Sequence, residues 1–130
     1  MSEDAEIFQQ HFLHGVELFN AKEFFDCHDA FEELWMEERG EMKLFLQGLI
    51  QAAVACHHLS NGNTTGAISQ YNKSLDKLRK YDDHYGGIDL KSLRTGLEHC
   101  LVGAETMLAN GATYEVDPKY FPAMNLISQE

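Results

Sequence analysis

The sequence has few basic residues and no long apolar run, and each absence excludes a class of protein. Ten Lys and Arg residues stand against 21 Asp and Glu residues, so the formal net charge is −11. Binding to nucleic acid or to an anionic membrane needs clustered Lys and Arg side chains, so we expect neither partner. The most apolar stretch, 44–55, is interrupted by Gln47, Gly48 and Gln51 and is shorter than a membrane-spanning helix.

Cysteine is scarce and follows neither a disulfide pattern nor a metal-binding pattern. Cys27, Cys56 and Cys100 are odd in number and lack CxxC spacing. Each lies in an apolar helical context, where Cys commonly serves as a small hydrophobic residue. Residues 1–6 are acidic and lack the basic and apolar regions of a signal peptide. We therefore expect reduced thiols and a cytoplasmic, acidic protein.

Period-two alternation is also lacking, because apolar residues recur every three or four positions almost throughout. This spacing predicts an all-α protein, a single domain over 1–130 that folds as an antiparallel bundle of about five helices. The predicted helices cover about 4–19, 21–38, 41–60, 64–81 and 90–109. The expected N-caps are Asn20 for the second helix, Asn63 or Thr64 for the fourth, and Asp89 for the fifth.

Two further features complete the predicted architecture. A weak internal similarity at an offset of 43 residues, which pairs Asn20 with Asn63, suggests the helix-hairpin character of repeat proteins. The segment 110–130 is too apolar to be a free tail, so we expect it to pack across the bundle. One side of the first helix carries Ile7, Phe8, His11, Phe12, Gly15, Val16 and Phe19.

Two ionisable side chains on the second helix are the most informative residues in the sequence. On a helical wheel, His28 and Glu32 fall on a stripe that we expect to face inward. The stripe also contains Ala21, Phe24, Phe25 and Trp35. An ionised carboxylate in an apolar core costs on the order of several kcal/mol unless it is paired or hydrogen-bonded. The position of Glu32 therefore points to a site.

Polar residues of the third helix are expected to lie opposite this pair. That helix is apolar nearly all round, which is typical of a central helix. Its polar exceptions cluster, since Gln47, Gln51 and His58 share a narrow arc that His57 flanks. Antiparallel packing of helices two and three then predicts a polar pocket between them, with Trp35 as part of its wall.

Three interpretations of this cluster stay open, and the sequence names no reaction. It is a structural polar network, a pocket for a divalent metal or a small polar ligand, or a catalytic pair in which His28 orients Glu32 as a base. The expected metal ligands are His28, Glu32 and His57, because i,i+4 spacing directs the first two side chains to one point. A different hypothesis is a non-enzymatic adaptor that binds a partner protein or its own copy.

Three motifs in this order resemble the family called "domain of unknown function 309", a family of small all-α proteins. The resemblance covers about residues 19–81. The motifs are Phe24-Phe25-x-Cys27-His28-Asp29-x-x-Glu32-x-x-Trp35, then Phe45-Leu46-Gln47-Gly48-Leu49-Ile50-Gln51-x-Ala53-x-Ala55-x-His57, then Gly62-Asn63-x-x-Gly66-Ala67. The family pattern usually has Glu where this sequence has Asp29. The resemblance implies a helical fold and a shared polar pocket, and it favours His57 over His58.

Overall fold

Five α-helices make up most of the chain in the computed structural model, which describes residues 2–112 and 115–127. They are α1 (Glu3–Asn20), α2 (Phe24–Glu37), α3 (Gly40–Ser60), α4 (Thr64–Leu78) and α5 (Leu90–Ala109). Short 3-10 turns occupy Tyr85–Gly87 and Pro118–Tyr120. The all-α prediction is confirmed. Across the described residues, no helix combines the length and apolarity that crossing a membrane requires.

Local sequence signals set most of the helix starts. The side-chain oxygens of Asn63 and Asp89 accept hydrogen bonds from the backbone N–H groups of Gly66 (2.9 Å) and Ser92 (3.0 Å). These caps match the predictions for α4 and α5. The predicted cap of α2 is wrong, because Asn20 ends α1 and α2 begins only at Phe24.

Each helix packs mainly against its neighbours along the chain, and α3 lies between α2 and α4. The buried residues of α3 occupy about one half of its circumference, and the other half, which includes Ile50 and Val54, is only partly buried. The helix packs tightly against α4 at Gly48, where a Cβ would lie 2.7 Å from Cδ2 of Leu78. The buried hydroxyl of Ser74 donates to the Gly48 carbonyl at 2.8 Å.

The described part of the C-terminal segment returns to the beginning of the bundle. The ring of Phe121 packs on that of Phe24 with centroids 5.1 Å apart, and Met124 is fully buried. Leu126 pairs with Ile88 in an isolated antiparallel bridge. Residues 113, 114 and 128–130 of the predicted 110–130 segment lie outside the described residues. That 1–130 forms a single domain stays a prediction.

Candidate functional site

The buried face of α2 is offset by one sequence position from most of the predicted face. The structure buries Phe24, Cys27, Phe31 and Leu34. A second stripe with the same spacing begins one position later and contains Phe25, His28, Glu32 and Trp35, which are partly or largely exposed. The prediction that His28 and Glu32 face the core is therefore wrong. The physical reason is that the first stripe is wholly apolar, whereas burying the second would desolvate an imidazole and a carboxylate.

His28 lies between two carboxylates at the edge of the helix. Its Nε2 is 2.9 Å from Oε2 of Glu32, and its Nδ1 is 3.3 Å from Oδ1 of Asp29. The side chains of His28 and Glu32 are 25% and 47% exposed. The Glu32 carboxylate therefore keeps much of its contact with water, and the three groups form a polar network at the surface.

Phe25 links this network to α3. Its ring centroid lies 5.8 Å from that of His28 and 5.6 Å from that of His57. The phenyl ring is 56% exposed although it touches imidazoles from two helices. His57 thus reaches the α2 side of α3, as the resemblance implies.

The predicted metal ligands are only partly brought together. His28 and Glu32 touch, whereas the ring of His57 lies against the rings of Phe25 and His58. In residues 2–112 and 115–127, no group of three or more His, Cys, Asp or Glu side chains is placed to hold a metal ion. Of the three predicted ligands, only His28 and Glu32 are in contact with each other.

Trp35 forms the other end of the exposed stripe of α2. The ammonium group of Lys43 lies 4.1 Å from the centroid of the indole ring, a cation–π contact between α2 and α3. The indole packs partly against the core. Its Nε1 is buried and has no hydrogen-bond acceptor among the described residues.

The remaining predicted residues of α3 are divided between different surroundings. Gln47 is half-buried. Oε1 of Gln51 is buried and has no donor within the described part of the chain. Nδ1 of His58 lies 3.3 Å from Nδ2 of Asn63, so this imidazole contacts the turn between α3 and α4.

A cluster of thiols around one phenol lies in the core, which the sequence pattern did not indicate. The Tyr71 hydroxyl is 3.3 Å from Sγ of Cys56, and both side chains are buried. Burial raises the pKa of the Cys27, Cys56 and Cys100 thiols and of the Tyr71 phenol above their ordinary values. The three free thiols are buried, as expected of small hydrophobic residues, and their raised pKa values keep them protonated and unreactive near neutral pH.

A groove of about 800 Å³ between α1 and α2 is a further feature that the sequence pattern did not indicate. Ile7 and His11, which lie on the mainly apolar side of α1, are exposed along it. The reason is that α2 covers only part of the N-terminal half of α1. The apolar side of α1 therefore extends beyond the surface that α2 covers. The walls of the groove include Ile7, Phe8, Leu34, Met36 and four carboxylates.

Comparison with known proteins supports the resemblance drawn from the motifs. A family model described as "Domain of unknown function (DUF309)" matches residues 12–70, a stretch that contains all of α2 and α3. An uncharacterised protein of Aquifex aeolicus (strain VF5) is 31% identical over 84 residues, which cover 64% of this chain and 25% of that protein. The uncharacterised protein YpuF of Bacillus subtilis (strain 168) is 40% identical over 85 residues, which cover 65% and 45%. The matched stretch therefore makes up less than half of each relative.

Proposed function

We propose that this chain, which matches the DUF309 family over residues 12–70, is a helical interaction module that binds a partner protein through the exposed edge of α2 and the adjoining side of α3. The observation that carries the proposal is the position of Phe25. Its ring is more than half exposed, yet it is held between His28 and His57. Such an aromatic side chain loses little conformational freedom on binding, and aromatic anchors dominate the energy of many interfaces.

The charges around Phe25 favour the same surface. His28 is already in contact with Glu32, and Lys43 already lies over Trp35. Groups with a neighbouring counter-charge or ring cost less to remove from water than isolated charges. The chain has a net charge of −11, and the charged groups at this edge already have partners. This edge is therefore well suited to being covered by a partner protein.

Site-specific photocrosslinking in the source organism tests the proposal. A photoreactive amino acid replaces Phe25 in one variant and Val102 in the other. Val102 is a matched control, because it is 60% exposed on α5. We expect a discrete adduct from position 25 that is absent from position 102, and expect it to weaken when His57→Ala is added. Equal adducts at both positions, or none at position 25, contradict the proposal.

A second candidate function is the binding of a divalent cation by His28 and Glu32. The observation that favours it is the 2.9 Å distance between Nε2 and Oε2, which places an imidazole nitrogen and a carboxylate oxygen at one partly exposed point. Titration with Zn²⁺, followed by NMR of the imidazole signals, tests it. We expect His28 to shift first and His28→Gln to abolish that response. If His99→Gln, on α5, weakens Zn²⁺ binding as much, the binding is nonspecific.

We also propose that the protein works in the cytoplasm. The support is that all three cysteines are free and buried, which suits a reducing compartment. Fractionation of cells that produce the untagged protein tests this location. Recovery of the protein outside the cytoplasmic fraction contradicts it.

A further inference from the structure

The groove between α1 and α2 has an apolar floor that nothing within the described residues covers fully. Ile7 and Phe8 of α1 line it opposite Leu34 and Met36 of α2. Ile7 is 44% exposed and Met36 is 58% exposed. Exposed apolar side chains gathered in a concave surface are typical of a binding groove, since covering them removes apolar area from water.

Carboxylates surround this floor. Asp4 of α1 and Glu33, Glu37 and Glu38 at the end of α2 line the groove, and neither Lys nor Arg is among its lining residues. No basic side chain in residues 2–112 or 115–127 forms an ion pair with any of these four acids. The groove is therefore complementary to a ligand that is apolar along its centre and cationic at its edges.

The end of α2 has a charge arrangement that the isolated helix disfavours. Glu33 and Glu37 are four residues apart, where like charges repel. The backbone dipole makes this end of the helix negative, and the last turn of α2, all of it described, carries no basic residue. A cationic ligand in the groove would relieve both effects. This feature is independent of the shape of the groove, and it too favours a cationic ligand.

The length of the groove fits a short helical segment. The lining positions on α1 are 4, 7, 8 and 11, which share one face and span about 10 Å at 1.5 Å per residue. About two turns of a partner helix have the same length. Such a helix would present apolar side chains at positions i, i+3 or i+4, and i+7.

We propose that this groove binds an amphipathic α-helix of a partner protein, with apolar side chains on Ile7, Phe8, Leu34 and Met36 and Lys or Arg side chains beside the rim carboxylates. The proposal goes beyond the interaction surface around Phe25, because the groove uses α1 and a different part of α2. With two such surfaces, the chain would bring two partner segments together.

Binding of synthetic peptides to the full chain tests the proposal. The probe is a helical peptide of about 18 residues with a Leu stripe flanked by Lys. One control peptide keeps the Leu stripe and replaces every Lys by Glu. A second control has the composition of the probe in a shuffled order that destroys the apolar face. Calorimetry at physiological ionic strength is expected to show one probe peptide per chain and at least about tenfold weaker binding of both controls.

Two sets of variants separate the groove from the general acidity of the protein. Glu33→Gln/Glu37→Gln is expected to weaken probe binding about tenfold. Asp76→Asn/Glu105→Gln removes the same charge from α4 and α5, and less than about a twofold change is expected. Met36→Ser is expected to weaken binding about tenfold, whereas the matched change Val102→Ser on α5 leaves it unchanged. Phe25→Ser, which disables the other proposed surface, is also expected to leave it unchanged.

Several results would overturn the proposal. Failure of the probe to bind does so, as does equal binding of the shuffled peptide, because either result removes the apolar groove from the interaction. Equal losses in the two double variants would mean that the probe responds only to net charge. Sedimentation provides the last test: a dimer that Met36→Ser dissociates would make a second copy of this chain the occupant.

Discussion

The side-chain amide of Asn20 forms hydrogen bonds with both the carbonyl and the N–H group of Met124. Its Nδ2 donates to the Met124 carbonyl at 3.0 Å, and its Oδ1 accepts from the Met124 N–H at 2.8 Å. The two residues are 104 positions apart in the chain. This pair of hydrogen bonds ties the C-terminal segment to the end of α1.

Replacement of Asn20 by Ala should therefore destabilise the protein. The change leaves a backbone donor and an acceptor of the buried Met124 without their partner, so the free energy of unfolding should fall by about 2 kcal/mol. Urea denaturation followed by circular dichroism measures the loss. Asn72→Ala is the control, because the Asn72 amide makes one exposed bond to its own helix. Equal losses in the two variants would show that the Asn20–Met124 contact adds nothing.

Gly15→Ala should overpack the contact between α1 and α2. A Cβ at position 15 would lie 2.5 Å from Cε1 of Phe31, whose ring is fully buried. Since buried aromatic rings have little room to move, the expected loss is about 1–3 kcal/mol of unfolding free energy. A double-mutant cycle with Phe31→Leu checks the cause. If Gly15→Ala costs as much in the Phe31→Leu background as it does with the phenyl ring in place, the steric explanation fails.

Alkaline pH should unfold the protein through its buried thiols. Burial raises the pKa of Cys27 and of Cys56 well above the ordinary value of 9.0, so both thiols stay protonated in the native state. Above about pH 9 the unfolded chain loses these protons and the native state does not. The contribution of these thiols to the free energy of unfolding is therefore fully present below pH 9. It falls as the pH rises, by up to about 1.4 kcal/mol per pH unit for each thiol.

Urea denaturation between pH 7 and pH 10.5 measures this dependence. Cys27→Ala is expected to lower stability at pH 7, because it opens a small cavity, and to make the decline above pH 9 shallower. A decline of unchanged steepness would show that the Cys27 thiol is not one of the groups responsible.

Glu37→Gln should stabilise the free protein, although it replaces a charged surface side chain by a neutral one. Glu37 is the last residue of α2, where a negative charge opposes the helix dipole, so the expected gain is about 0.5 kcal/mol of unfolding free energy. Glu6→Gln is the control of opposite sign, because Glu6 lies in the first turn of α1. A thermal melt that ranks the two variants in the reverse order would contradict the electrostatic argument.

The sequence predicted the helical architecture well, because that signal is local. Periodicity located all five helices, and the caps Asn63 and Asp89 act on residues three positions away. The cap of α2 was misplaced for the opposite reason. Asn20 has a favoured capping side chain, but that side chain is bound by Met124, which no local pattern can reveal.

The candidate site was harder to predict because α2 carries two stripes of equal spacing. The buried stripe contains Phe24, Cys27, Phe31 and Leu34, and the exposed stripe, offset by one position, contains Phe25, His28, Glu32 and Trp35. The two stripes adjoin on a helical wheel through Phe24 and Phe25, and the structure buries the stripe that is wholly apolar. The contact between His28 and Glu32 followed from their spacing, whereas the exposure of Glu32 and the contact of Phe25 with His57 did not.

The long-range tie between Asn20 and Met124 also has a consequence for synthesis of the protein. The helices pack mainly on their chain neighbours, so each can dock soon after it leaves the ribosome. Met124 is made 104 residues after Asn20, which takes about 5–20 s at about 5–20 residues per second. During that interval the ring of Phe24 lacks the cover that Phe121 gives it in the finished protein. The nascent chain should therefore be most exposed to chaperones and to aggregation at the junction of α1 and α2.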